Sequence, residues 1–121
     1  MRKHFALSVV EPAGDLIRSG RKHLEVRRWK PAVLPLRDLV IVQNTRRLSS
    51  TGLREDPDGR AVALVDVGGV REWRKEDVDA AGATHWEAGW FAWELENIRA
   101  IDHSVAVPAR LRIYEIDLPD A

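Results

Sequence analysis

Gly20-Arg21-Lys22-His23-Leu24-Glu25-Val26-Arg27 decides how this chain is read. Leu24 and Val26 alternate with Glu25 and Arg27, the period of a strand with one buried and one polar face. Before it, Pro12 suits a first helical turn, Leu16-Ile17 supply an apolar stripe, and Gly20 reads as the left-handed residue that ends the helix. Lys22, Glu25 and Arg27 therefore meet at a helix-to-strand junction, where opposed charges can hold a small polar ligand. Working outward, Phe5 to Val10, Lys22 to Trp29, Asp38 to Asn44, Ala61 to Val67, Gly89 to Ile101 and Ala109 to Asp117 read as strands. The run Leu39-Val40-Ile41-Val42 is apolar on both faces, and Gly68-Gly69 marks a bulge before Val70 to Trp73 continue. Lys75 to Ala81 reads as a short helix closed by Gly82. Thr45 to Arg60, with four arginines, is the longest stretch without periodicity. About six strands, two short helices and no βα alternation predict a mainly β (α+β) fold, a small twisted barrel in which closure removes exposed edges.

The spacing G-x-K-x-x-E-x-R from Gly20 to Arg27 resembles the signature of the ASCH family, relatives of the PUA domains that bind RNA. Gly89-Trp90-Phe91-Ala92-Trp93-Glu94-Leu95-Glu96-Asn97-Ile98-Arg99 resembles that family's aromatic strand ending in an Asn. The resemblance runs from about Leu7 to Ile116 and implies a PUA-like β-barrel.

Composition bounds the partners. The 121 residues predict a single domain spanning 1–121, large enough to bury roughly two thirds of the unfolded chain's surface. Without cysteine there is neither a disulfide framework nor a thiolate nucleophile, and the four scattered histidines make no metal-ligand spacing, so no cofactor or metal is expected. With no signal peptide and no apolar stretch of about 20 residues, a cytoplasmic location away from membranes is expected. Lys plus Arg and Asp plus Glu each number 19, which argues against gripping long duplexes by charge alone. The first third is locally basic, through Arg18, Arg21, Lys22, Arg27, Arg28 and Lys30, with Arg46 and Arg47 following. A basic groove on a neutral protein suits a short single strand of RNA or a nucleotide.

The candidate ligand-binding residues are Lys22, Glu25, Arg27, Trp29, Arg46, Trp90 and Asn97. Arg27 and the Arg46-Arg47 loop would hold phosphate or carbonyl oxygens, and Trp29 or Trp90 would stack a base, worth about 1–3 kcal/mol. The expected cleft lies between the Lys22 to Arg27 junction and the Glu94 to Asn97 strand. In the ASCH-like branch that hydrolyses acylated cytosine nucleosides the motif lysine is catalytic, which implies a catalytic set of Lys22, Glu25 and Glu94 here. That branch carries threonine where this chain has Glu25, so the hydroxyl of its Lys/Thr/Glu set is missing. Each residue also has a plainer role: Lys22 opposite the helix dipole, Glu25 and Arg27 as an exposed ion pair, Glu94 on the surface, Asn97 at a turn, the tryptophans in the core. Three functions remain: RNA or nucleotide binding, a metal-independent hydrolase acting on a modified nucleoside or on RNA in the same cleft, and a protein-interaction module using exposed tryptophans such as Trp86.

Overall fold

The computed structural model describes residues 1–119. Its strands are β1 (Arg2–Val10), β2 (Leu24–Arg27), β3 (Leu36–Asn44), β4 (Glu55–Asp56), β5 (Arg60–Glu72), β6 (Phe91–Ala106), β7 (Ala109–Arg110) and β8 (Ile113–Leu118), with one α-helix, α1 (Ala13–Arg18), among the described residues. Six strands make one sheet in the order β2-β6-β5-β3-β1-β8, and β4 and β7 form a separate two-stranded ladder. The fold is mainly β, and the large sheet curls into a half-barrel consistent with a small PUA-like barrel. Its edges β2 and β8 are not hydrogen-bonded to each other. Closure, expected from the need to hide edges, is incomplete, and the opening becomes the mouth of a cleft.

Long β5 and β6 are the spine, paired antiparallel from Arg60↔Ala106 to Glu72↔Phe91. The register shifts between Val67 and Gly69, so the Gly68-Gly69 pair does mark a bulge. Strand β1 lies parallel to β3 and antiparallel to β8. The Leu39 to Val42 run is fully buried because both faces are covered. Leu39 and Ile41 pack under α1 with Leu7, Ile17, Val65 and Trp93, while Val40 and Val42 meet Ala109, Ile116 and Leu118 on the opposite face. A third cluster of Leu24, Trp73, Ala81 and Ala92 seats the segment after β5.

Three expectations are corrected. The segment from Lys75 makes only a 3₁₀ turn, Lys75–Asp77, followed by irregular turns that end at Gly82 with φ +65°. Strand β2 is shorter than Lys22 to Trp29, because its one sheet partner is β6, over Leu24 to Arg27. The last strand breaks at Leu111-Arg112, where Arg112 takes a left-handed φ of +59°.

Candidate functional site

The helix end sets the site. Gly20 turns the chain at φ +80°, and the backbone N–H groups of Arg21 and Lys22 both donate to the Leu16 carbonyl, at 2.9 and 3.0 Å. Lys22 thus leaves the helix in a fixed direction, and its Nζ donates to the Ala81 carbonyl at 2.6 Å and contacts Glu25 Oε1 at 3.0 Å. From β2, Arg27 grips the other oxygen: Nε and Nη2 donate to Glu25 Oε2 at 3.0 and 2.7 Å. Arg27 Nη2 also donates to the Ser8 carbonyl at 2.7 Å, tying edge strand β2 to β1 across the mouth of the half-barrel.

These charges are not an exposed pair. The side chains of Lys22, Glu25 and Arg27 are 12%, 8% and 23% exposed. Burial pushes the Glu25 carboxyl upward, but the positive charges of Arg27 and Lys22 and their hydrogen bonds outweigh it, holding the group below its ordinary range. Both carboxylate oxygens are engaged by cations, so Glu25 serves as the internal counter-ion of the site.

A cleft of about 400 Å³ opens beside this triad, between β2, β1 and the β7–β8 corner. Five arginines line it, Arg27, Arg28, Arg47, Arg110 and Arg112, against Glu25 as the one carboxylate among the described residues. Trp29 and Trp90 stand in its wall. The Arg112 guanidinium lies 4.8 Å from the centre of the Trp29 ring, and that of Arg28 lies 5.0 Å from the Trp90 ring. Trp29 is held edge-on to the buried Trp93, with centroids 5.0 Å apart, and Trp90 stacks on Trp73 at 5.9 Å. Rigid aromatic faces flanked by guanidinium groups can bind planar rings and anions together. Arg110 pairs with Glu55 at 3.5 Å, whereas Arg28, Arg47 and Arg112 have no carboxylate partner among the described residues.

Of the expected residues, the structure brings Glu25, Arg27, Trp29 and Trp90 to this cleft. Lys22 lines instead a smaller pocket that shares Glu25, Val26 and Trp90 with the cleft. Glu94 does not line the cleft; its side chain is 51% exposed and reaches Arg71 Nε at 3.5 Å. Strand alternation put it opposite Trp93 as expected, but that face looks toward Gly69 and Arg71, away from the mouth. Asn97 sits in β6 with φ +49° and donates to buried Asp66 Oδ2 at 3.1 Å, inside a network with Asp38 and Arg99. Backbone donation from Asp38 and the Asn97 amide hold the Asp66 carboxyl below its ordinary range, against burial. Arg46 turns from the cleft to the fully buried Asp56, at 3.4 Å, leaving the neighbouring Arg47 in the wall. The far wall of this cleft is β1 and the β7–β8 corner, and neither Glu94 nor Asn97 lines it.

Arg110 and Arg112 were missed. Their alternation in Ala109-Arg110-Leu111-Arg112-Ile113 was legible, but read as one continuous strand it gave no reason for both to reach one cleft. The left-handed Arg112 makes the corner that brings them there.

No helix among the described residues is long and apolar enough to cross a membrane. Among curated proteins, none matches the chain. A family model described as the ASCH domain matches residues 7–104, from β1 through most of β6 and short of the corner that carries Arg110 and Arg112.

Proposed function

The chain belongs to the ASCH domain family, and from that premise we propose that it binds single-stranded RNA or a nucleotide in the arginine-lined cleft. One observation carries the reading. On a protein of zero net charge, five arginines converge on one cleft whose one carboxylate among the described residues is already neutralised from within. Such a concentration of charge attracts phosphate, and a cleft of about 400 Å³ walled by two tryptophans suits one or two nucleotides. A duplex, with its long phosphate rows, would demand a wider basic surface than a neutral protein offers.

The hydrolase reading has less support. Glu94 stands outside the cleft, and Glu25 is saturated by Lys22 and Arg27, so neither is placed to activate a water there. A protein-interaction surface built on Trp86 is disfavoured as well, because Trp86 is half-buried and its Nε1 donates to the Trp73 carbonyl at 3.0 Å.

The test is the salt dependence of binding to a labelled single-stranded RNA octamer, followed by fluorescence anisotropy. Arg47→Ala and Arg112→Ala should each weaken binding and each flatten the slope of log K against log salt by about 0.7, the value for one phosphate contact on a single strand. A slope unchanged in both variants would remove the cleft from the binding surface.

A further inference from the structure

Both tryptophans of the cleft wall already carry a guanidinium group over the ring. Arg112 lies 4.8 Å from the Trp29 centroid and Arg28 lies 5.0 Å from that of Trp90, whose ring also stacks on Trp73. The ring quadrupole attracts each cation and restricts a side chain that would otherwise sample many rotamers. Trp29 is fixed in turn, edge-on to buried Trp93, whose Nε1 donates to the Trp29 carbonyl at 3.2 Å. The indoles thus brace arginines.

Ser8 on β1 joins the two walls that bear the arginines. Its carbonyl accepts from Arg27 Nη2 at 2.7 Å, and its Oγ accepts the Arg110 backbone N–H at 3.1 Å. Tyr114 Oη donates its one proton to the Pro108 carbonyl at 3.0 Å, so in the 2.8 Å contact between Ser8 and Tyr114 the serine is the donor. This one-way chain clamps the β7–β8 corner against β1 and fixes it relative to Arg27.

Charge balance then selects the ligand. Glu25 answers Arg27 and Glu55 answers Arg110, whereas Arg28, Arg47 and Arg112 have no carboxylate partner among the described residues. Three unanswered positive charges therefore line a cleft of about 400 Å³. An internal phosphodiester brings one negative charge and two non-bridging oxygens. A phosphomonoester brings a charge of about −1.5 to −2 at neutral pH and three acceptor oxygens, a better match to several guanidinium forks.

We propose that the arginine cleft selects a terminal phosphate, the phosphomonoester or pyrophosphate group at the end of a nucleotide or a single strand, held by Arg28, Arg47 and Arg112. The carrier, nucleotide or strand, rests on the nucleic-acid reading of the cleft; the demand for a multiply charged phosphate rests on the unanswered arginines.

The experiment compares internally labelled octauridylates that differ only at their ends: hydroxyls at both, a 5′-phosphate, or a 3′-phosphate. Calorimetry measures uridine 5′-monophosphate, uridine 5′-diphosphate and inorganic pyrophosphate directly. A phosphate at one end should tighten binding by about tenfold or more, the effect of one charge-assisted hydrogen bond. That gain should grow as pH rises from about 5 to 7, because the second ionisation of a phosphomonoester lies near 6; the hydroxyl-ended strand records the protein's own titration. Arg28→Ala, Arg47→Ala and Arg112→Ala should each reduce the gain, and all three side chains are exposed, so the variants should melt close to the wild type. A free nucleotide that matches the phosphorylated strand identifies a mononucleotide as sufficient; a gain confined to strands identifies a phosphorylated strand end. Equal affinity of the three octamers would overturn the proposal and leave the strand reading intact, and a gain that survives in all three variants would overturn it as well. Binding of uridine 5′-diphosphate and pyrophosphate without any octamer would count against the strand reading alone.

Discussion

Glu25→Gln removes one negative charge and almost no volume from the centre of the site. In the native protein Glu25 is held by Lys22 at 3.0 Å and by Arg27 at 2.7 and 3.0 Å, with 8% of its side chain exposed. At an effective dielectric of about 20, opposite charges roughly 3 Å apart attract by about 5 kcal/mol. Withdrawing each ion from water costs several kcal/mol, so the intact triad contributes little net stability. Its disruption is another matter. The glutamine leaves two buried cations facing each other, and removing one partner of a buried pair costs about 3–5 kcal/mol. Urea unfolding should show that loss as a lower midpoint at constant slope. For 121 residues the unfolding entropy is roughly 250 cal/mol/K, so the melting temperature should fall by about 12–20 °C. Adding Lys22→Met should return at least about 1 kcal/mol by removing one of the stranded cations. The pH dependence has a definite sign. A carboxyl held below its ordinary value of 4.5 stabilises the fold above that value, and the contribution disappears as pH falls through the lower folded-state value. The wild type should therefore lose stability on acidification more steeply than Glu25→Gln. A loss under about 1 kcal/mol, with parallel acid limbs, would mean that the three charges behave as a solvated surface pair and would refute the reasoning.

The same geometry yields three further outcomes. Arg27→Lys cannot hold Glu25 Oε2 and the Ser8 carbonyl together, and should cost about 1–3 kcal/mol in urea unfolding while loosening amide exchange in β2. Glu94→Gln should leave RNA affinity and its pH profile unchanged and cost less than about 1 kcal/mol, since its pairing with Arg71 is half-exposed; a tenfold fall in affinity would return Glu94 to the site. Gly59→Ala places a methyl group 2.5 Å from the Val107 carbonyl and 2.9 Å from Val42 Cγ1, and should lower stability by about 1–3 kcal/mol because backbone must move to admit it.

These tests separate binding from folding, which share residues here. Lys22 illustrates the overlap: as a surface lysine its removal would leave stability intact, but buried against Glu25 and the Ala81 carbonyl it joins α1, β2 and the segment after β5. A loss of ligand binding in Lys22→Ala is therefore interpretable only beside its unfolding curve.

Local rules made much of this protein legible in one dimension. Gly20 ended a helix because only a glycine adopts its backbone angle cheaply, Leu39 to Val42 formed a doubly buried strand, and Gly68-Gly69 produced a bulge. The junction motif placed Glu25 and Arg27 together because residues two apart on a strand share a face. Periodicity could not say what each face meets. Alternation and the family resemblance pointed Glu94 and Asn97 to a cleft, whereas in the fold they reach Arg71 and Asp66. Likewise Arg110 and Arg112 reach the cleft across β1, more than eighty positions from Arg27, through a corner set by one left-handed residue. Sequence determined which residues could be charged, aromatic or turning, since those are properties of short segments. Which arginines share a cleft, which carboxylate is sealed between two cations and which indole rings are covered by guanidinium groups were decided only by tertiary packing, because each depends on surfaces contributed by strands distant in the chain.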